Sequence, residues 1–254
     1  MNINELYKDL GLKILYNGED RRTRNGITRS IFGESIKYDM EKNGFPLLST
    51  RKINYKAAFA EFEAFIKDAK TVEEFEELGC SYWALWADEK GSLKLDYPPR
   101  TQLDYVINLL KTDKYSRRIL IDLWNPEHIG KLSLEPCHTQ YQFYVNKTDK
   151  LHMIWNQRSV DYAIGAPYDF VLAGCYMLSL CKECNLWPGT ITFNFGDIHL
   201  YEEHIEKFKD MMHRPTATTN VDAFSWEGPY DFNIDSISIH NYNPQKHISF
   251  ELKE

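Results

Sequence analysis

Cys137 lies in the run Glu135-Pro136-Cys137-His138, where a proline breaks regular structure just before a β-rich stretch. A cysteine beside a histidine at a strand start is a candidate nucleophile. Taken alone, the pair reads first as a buried structural thiol, because free cysteine is among the most buried residue types. The run Gln157-Arg158-Ser159-x-Asp161 groups side chains that hold a phosphate, and a nearby arginine lowers a thiol pKa. By itself this run also reads as a solvated strand end. Gly165-Ala166-Pro167-Tyr168-Asp169 reads as a tight turn feeding a helix, and Gly196-Asp197-x-His199-x-Tyr201 ends a strand with two hydrogen-bonding rings. Glu61 interrupts an apolar helix face, either as a satisfied surface carboxylate or as a site residue. Metal chemistry is not indicated. Cys181-x-x-Cys184 is a single pair where a zinc ribbon needs two, and His199 and His204 lack the His-Glu-x-x-His pattern.

The elements that must position these residues follow from periodicity. Leu6, Leu10 and Ile14 predict a helix over 3–16, closed by Gly18. A strand is expected over 29–38 and an amphipathic helix over 54–69. Thr71 and Glu74 form a capping box for a short helix, and another helix covers 101–112. Strands rich in β-branched and aromatic residues follow at 118–124, 139–146 and 150–158. A long helix from about Phe170 to Cys184, a strand over 190–201, a helix over 202–213 and a strand over 236–242 complete the chain. Helices and strands mixed without strict alternation predict an α+β fold, with helices packed on a mixed sheet. No repeat, low-complexity tract or linker divides the chain, so residues 1–254 are read as one domain.

The composition narrows the class. The chain has 254 residues, 43% of them apolar, which is enough for a real core. The net charge of −7 argues against general nucleic-acid binding, although clustered arginines could hold a few phosphates. The N-terminus has no signal-peptide pattern, and no apolar run is long enough for a membrane span. Five sparse cysteines, Cys80, Cys137, Cys175, Cys181 and Cys184, predict reduced thiols and a cytoplasmic location.

Taken in order, the motifs resemble the thymidylate synthase family over most of the chain. The match begins at Ser30-Ile31-Phe32-Gly33 and Gly44-Phe45-Pro46-Leu47 and continues through Ala60-Glu61-Phe62, Trp83-x-x-Trp86-Ala87-Asp88 and Ser116-Arg117-Arg118. It then runs through Pro136-Cys137-His138, Gln142-Phe143-Tyr144-Val145, Gln157-Arg158-Ser159-x-Asp161, Gly165-x-Pro167 and Gly196-Asp197-x-His199-x-Tyr201. Each piece is weak alone, while their order and spacing are specific. The resemblance implies a thymidylate synthase-like fold, a homodimer formed sheet to sheet, and one-carbon transfer from 5,10-methylenetetrahydrofolate to a pyrimidine nucleotide. Cys137 matches the nucleophile that adds to pyrimidine C6 and makes C5 nucleophilic. Glu61 matches the proton-relay carboxylate and Tyr97 the group that assists C5 deprotonation. After Tyr97 the chain reads Pro98-Pro99-Arg100, where the family carries Gly and a longer segment. Arg158 matches a phosphate ligand, and Arg117 and Arg118 match the pair donated by the partner subunit. Alone, those two read as a solvated pair.

By the same resemblance, His138, Gln157, Ser159 and Asp161 line the nucleotide site, and His199 and Tyr201 bind the 3′-hydroxyl. Trp83, Leu134, Asp161, Gly165 and Tyr168 face the folate. One more phosphate arginine belongs in the N-terminal loop, where Arg22 is the first choice and Arg24 the alternative. The other reading there is a solvated basic loop.

Two departures bear on the substrate. Members specific for dUMP carry Asn where this chain has Asp169. An amide matches uracil, with one donor and one acceptor, whereas a carboxyl group can accept from the cytosine amino group and share a proton with N3. Asp is also a favoured helix N-cap, which is the competing reading. The family's small apolar tail is replaced here by the charged Ser249-Phe250-Glu251-Leu252-Lys253-Glu254, which predicts a wetter site. The expected order is dCMP 5-hydroxymethylation, then dCMP methylation, then dUMP methylation. A catalytically silent nucleotide- or RNA-binding relative is the alternative from another class.

Overall fold

Local sequence rules account for most of the elements. The computed structural model describes residues 1–97, 100–216, 221–224, 229–234 and 237–253. Helix α1 (Ile3–Asn17) opens with Asn2 and Glu5 in a reciprocal capping box and buries Tyr7, Leu10 and Ile14. A hairpin of β1 (Glu19–Thr23) and β2 (Gly26–Asp39) follows, then the short α2 (Met40–Asn43). Helix α3 (Tyr55–Ile66) ends before Asp68, whose φ of 59° is left-handed. The expected capping box of Thr71 and Glu74 starts α4 (Val72–Glu77). A 3-10 turn over Tyr82–Trp86 and α5 (Arg100–Thr112) lead into β3 (Leu120–Asp122), β4 (His138–Val145) and β5 (Lys150–Asp161). Then come α6 (Gly165–Cys184), β6 (Trp187–Tyr201), a 3-10 turn at Glu202–His204, α7 (Ile205–Met212), β7 (Asp222–Phe224) and β8 (Ser238–His240).

The main sheet has six strands in the order β1-β2-β6-β5-β4-β3, with β5 and β6 parallel and the other pairs antiparallel. The register puts Tyr141, Trp155, Phe193 and Ile36 in one row across four strands, all buried. Phe170 of α6 meets Phe193 with ring centroids 4.8 Å apart, and Tyr7 of α1 lies edge-on to Phe170 at 6.2 Å. Gly174 lets α6 settle on Phe45, since a Cβ there would lie 2.6 Å from the Phe45 ring. The alternation of burial in β6 changes phase between Phe195 and Ile198, opposite Gly33 of β2, whose φ is 81°. In β6, Phe193 and Phe195 are buried before this point and Ile198 and Leu200 after it, which leaves Asp197 and His199 half-buried.

Several expectations change. The N-terminal basic loop is a hairpin with only Arg24 and Asn25 at its tip, and its fully exposed first strand carries no apolar signal. The long helix begins at Gly165 rather than near Phe170, because Pro167 falls in the first turn, where no intrahelical N–H partner is needed. The helix expected over 202–213 splits into a 3-10 turn and α7. The Pro98-Pro99 departure and the start of the strand expected over 236–242 lie outside the described residues.

Candidate active site

The thiol end of the site is built by the chain entering β4. The backbone N–H of Cys137 donates to the Tyr97 hydroxyl at 2.9 Å, and the Cys137 carbonyl accepts from the Arg158 N–H at 2.9 Å. The Arg158 side chain curls back on the same loop. Its Nε donates to the Pro136 carbonyl at 3.0 Å, its Nη2 donates to the Glu135 carbonyl at 2.8 Å, and its guanidinium lies 5.4 Å from the Trp124 ring centroid. Burial pushes the Cys137 thiol above its usual value, against the lowering effect of Arg158 and with a further rise from Asp169. The expected acidifying arginine is therefore present, but desolvation outweighs its effect.

Asp169 lies in the second turn of α6, and the N-cap position belongs to Ile164, so the helix-cap reading fails. Both carboxylate oxygens are engaged. Oδ1 is 2.8 Å from His138 Nε2, and Oδ2 accepts from Gln157 Nε2 at 2.8 Å. An ionised carboxylate only accepts, so His138 carries its hydrogen on Nε2. In the neutral ring Nδ1 then accepts from the Tyr141 hydroxyl, 2.9 Å away. The sequence motifs name His138, Gln157 and Asp169, whereas Tyr141 escapes them because its phenol reads as core.

Glu61 projects from α3 and is buried. Trp83 Nε1 donates to its Oε1 at 2.7 Å. Burial raises the carboxyl to about 7, opposed by the Trp83 hydrogen bond and aided by the charge of Asp169. Trp83 itself is buried among Phe65, Phe75, Trp86 and Tyr97 and is committed to Glu61, so its indole is less open to a folate than expected. Tyr97 stacks on Phe65 at 4.7 Å and meets the His138 ring edge-on at 5.4 Å. Tyr82 is an addition that the motifs do not reveal. Its ring stands edge-on to Tyr168 at 5.8 Å, with its hydroxyl buried in the wall shared with Glu61.

The remaining residues lie around this centre. Asp161 Oδ1 accepts from the N–H groups of Ala163 and Ile164 at 2.9 and 3.1 Å and so fixes the entry to α6. Burial raises its carboxyl, against the charges of His199 and His204. Ser159 pairs in register with Asp197, and Asp161 with His199. The His199 and Tyr201 rings meet at 5.5 Å. Gly165 opens α6, with Asp169 Oδ2 3.8 Å from where its Cβ would be, and Leu134 is half-buried against the core.

Arg117 and Arg118 are not brought to Cys137 in the same chain. They precede β3, which runs antiparallel to β4, so they lie at the far end of β4 from Cys137. Arg22 is placed away from His199. In β1, Arg21 pairs with Thr28 and through it with Tyr201, whereas Arg22 pairs with Ile27. The charged tail is docked rather than loose. Phe250 packs on His204 at 5.3 Å and under Arg51 at 5.3 Å, and Lys253 pairs with Glu203 at 2.5 Å.

A cysteine thiol, a buried carboxylate raised to about 7 and the polar cluster of His138, Gln157 and Asp169 can together activate a heteroaromatic ring and move its protons. The family model described as thymidylate synthase matches residues 5–254. The chain therefore belongs to the thymidylate synthase family, whose reaction is folate-dependent one-carbon transfer from methylenetetrahydrofolate to a pyrimidine nucleotide.

Proposed function

We propose that this enzyme hydroxymethylates dCMP at C5, using 5,10-methylenetetrahydrofolate and water. The observation that carries the substrate is the buried Asp169 carboxylate, held by His138 and Gln157 at the position that reads the pyrimidine edge in the family. Each oxygen has one protein donor and keeps a lone pair. It can accept from the cytosine amino group and from a protonated N3, whereas uracil O4 would oppose acceptor to acceptor. Cys137 adds to C6, Tyr97 and Glu61 handle the C5 proton, and Arg158 and Ser159 hold the phosphate. Arg117 and Arg118 reach the phosphate from the partner of a homodimer. His199 and Tyr201 take the 3′-hydroxyl, and Leu134, Asp161, Gly165 and Tyr168 face the folate. We place the enzyme in a reducing cytoplasm, in keeping with its free cysteines.

The product divides after the one-carbon unit reaches C5. The tetrahydrofolate amine has left, and C5 bears an exocyclic methylene. Water adds through oxygen to that methylene carbon, its proton passes to a base, and the thiolate leaves C6 as the ring regains its double bond. Glu61, at about 7, suits that base. A hydride from the folate at the same carbon would instead give methyl and dihydrofolate. The docked tail, with Phe250 turned inward, favours this second reading, dCMP methylation, because a sealed site excludes water. Product mass after incubation with methylenetetrahydrofolate and either dCMP or dUMP decides among them. Hydroxymethyl-dCMP without dihydrofolate supports the proposal, and any product from dUMP alone removes it.

A further inference from the structure

One charged chain lies beside the sugar end of the site. Arg21 Nη1 donates to Asp197 Oδ2 at 2.9 Å, and Asp197 Oδ1 lies 3.2 Å from His199 Nδ1. The three residues come from β1 and β6, brought onto one face by the register Arg21–Thr28–Tyr201 and Ser30–His199. The phase change in β6 after Phe195, opposite Gly33 of β2, turns Asp197 and His199 out of the core.

We propose that Asp197, braced by Arg21, is the positioning residue that sets the His199 ring for a nucleotide 3′-hydroxyl, and that Arg21 rather than Arg22 is the N-terminal arginine serving this end of the site. The proposal rests on the reading of His199 as a sugar ligand. An ionised carboxylate accepts only, so it fixes the hydrogen on His199 Nδ1. A ring with its one hydrogen on Nδ1 presents Nε2 as an acceptor, which matches a hydroxyl that donates. The His199 hydrogen bond and the Arg21 charge both hold the Asp197 carboxyl below its usual range, which keeps it an acceptor. Arg21 supplies a second donor on the other carboxylate oxygen, which favours the orientation facing the ring. Arg22 pairs with Ile27 on the other side of the hairpin and has no path to this chain.

The test compares variants of the full-length protein, without folate, by calorimetry. Each is titrated with dCMP or dUMP, whichever the wild type binds, and with the matching 2′,3′-dideoxy analogue. Asp197→Ala is expected to weaken the hydroxylated nucleotide about tenfold, the scale of one hydrogen bond to a polar ring, and to leave the analogue within about twofold. Asp197→Asn should recover most of the loss, since an amide oxygen still accepts from Nδ1. Arg21→Ala should show the same pattern at about two- to threefold, and Arg22→Ala should not. Equal weakening of both nucleotides would mean a purely structural role and would overturn the proposal. Nitrogen NMR of the histidines gives an answer that needs no nucleotide. His199 should carry its hydrogen on Nδ1 in the wild type and lose that preference in Asp197→Ala, and an unchanged tautomer overturns the proposal. If neither dCMP nor dUMP binds, the functional reading fails and the sugar role with it, while the tautomer measurement still decides whether Asp197 sets the His199 ring.

Discussion

At Asp169 a single carboxylate stands where an amide would make a uracil site. Asp169→Asn is nearly isosteric and keeps an oxygen to accept from His138 or Gln157, so the fold should survive. The amide offers uracil a donor for O4 and an acceptor for N3–H, while cytosine loses its matched partner. The ratio of kcat/KM for dCMP over dUMP should fall by about 1–3 kcal/mol, or roughly tenfold to a hundredfold. A ratio that does not move would mean Asp169 does not read the base. The network behind Asp169 is only half legible in the sequence. His138, Gln157 and Asp169 fall in short motifs whose residue types advertise chemistry. Tyr141 sits in an alternating strand where any buried aromatic would satisfy the pattern, and nothing local says that its hydroxyl meets His138 Nδ1. Arg21 is hidden for a different reason. The choice between adjacent arginines depends on strand register, and β1 has no apolar face to set it.

At the scale of elements, α3 carries a carboxylate that its burial resists. Glu61 titrates near 7 in the native protein, against about 4.5 for the ordinary side chain. Between those values the native state holds the proton and the unfolded chain does not, so stability is fullest below the lower value and declines as pH rises towards 7. For a shift of this size the decline is about 3 kcal/mol. Urea unfolding near pH 5 and near pH 8 should show it in the wild type, with a much flatter profile in Glu61→Gln. A parallel profile in the two proteins would place the pH dependence elsewhere. Helix α6 makes a second case, because intrinsic propensity and packing disagree there. Alanine favours a helix over glycine by about 1 kcal/mol. At Gly174, however, a Cβ would lie 2.6 Å from Phe45 and 2.9 Å from Pro46. Gly174→Ala should therefore destabilise by about 1–3 kcal/mol, seen as a lower denaturant midpoint with an unchanged slope. Periodic elements such as α1 and β4 are legible because one face is buried along their whole length. The start of α6 is not, since proline in a first turn looks the same in sequence as proline in a loop.

Across the whole molecule, the helices press on one face of the sheet and leave the other to side chains such as Tyr144 and Ile154, which are 64% and 36% exposed. On that outer face Ser35, Asn194 and Asn156 join three strands through hydrogen bonds of 2.7 and 2.9 Å, a flat polar ladder with apolar neighbours. Arg117 and Arg118, both exposed, lie roughly one strand length, about 20 Å, from the loop of Cys137 in their own chain. They can serve a phosphate at a Cys137 site only if that site belongs to a second copy packed through the outer face. Each of Cys137→Ala and Arg118→Ala should then be nearly inactive alone. In a mixed dimer one site carries both lesions and the other carries neither. After random exchange of equal amounts, about half of the dimers are mixed and each has one intact site of two, so activity should recover to about a quarter of wild type. If Arg118 instead served its own chain, every site in the mixed dimer would carry one lesion, and activity would stay at the average of the two parents. Assaying the mixture before and after subunit exchange, beside a sedimentation measurement of mass, separates these outcomes: a fully active monomer, or no gain on exchange, removes the shared site.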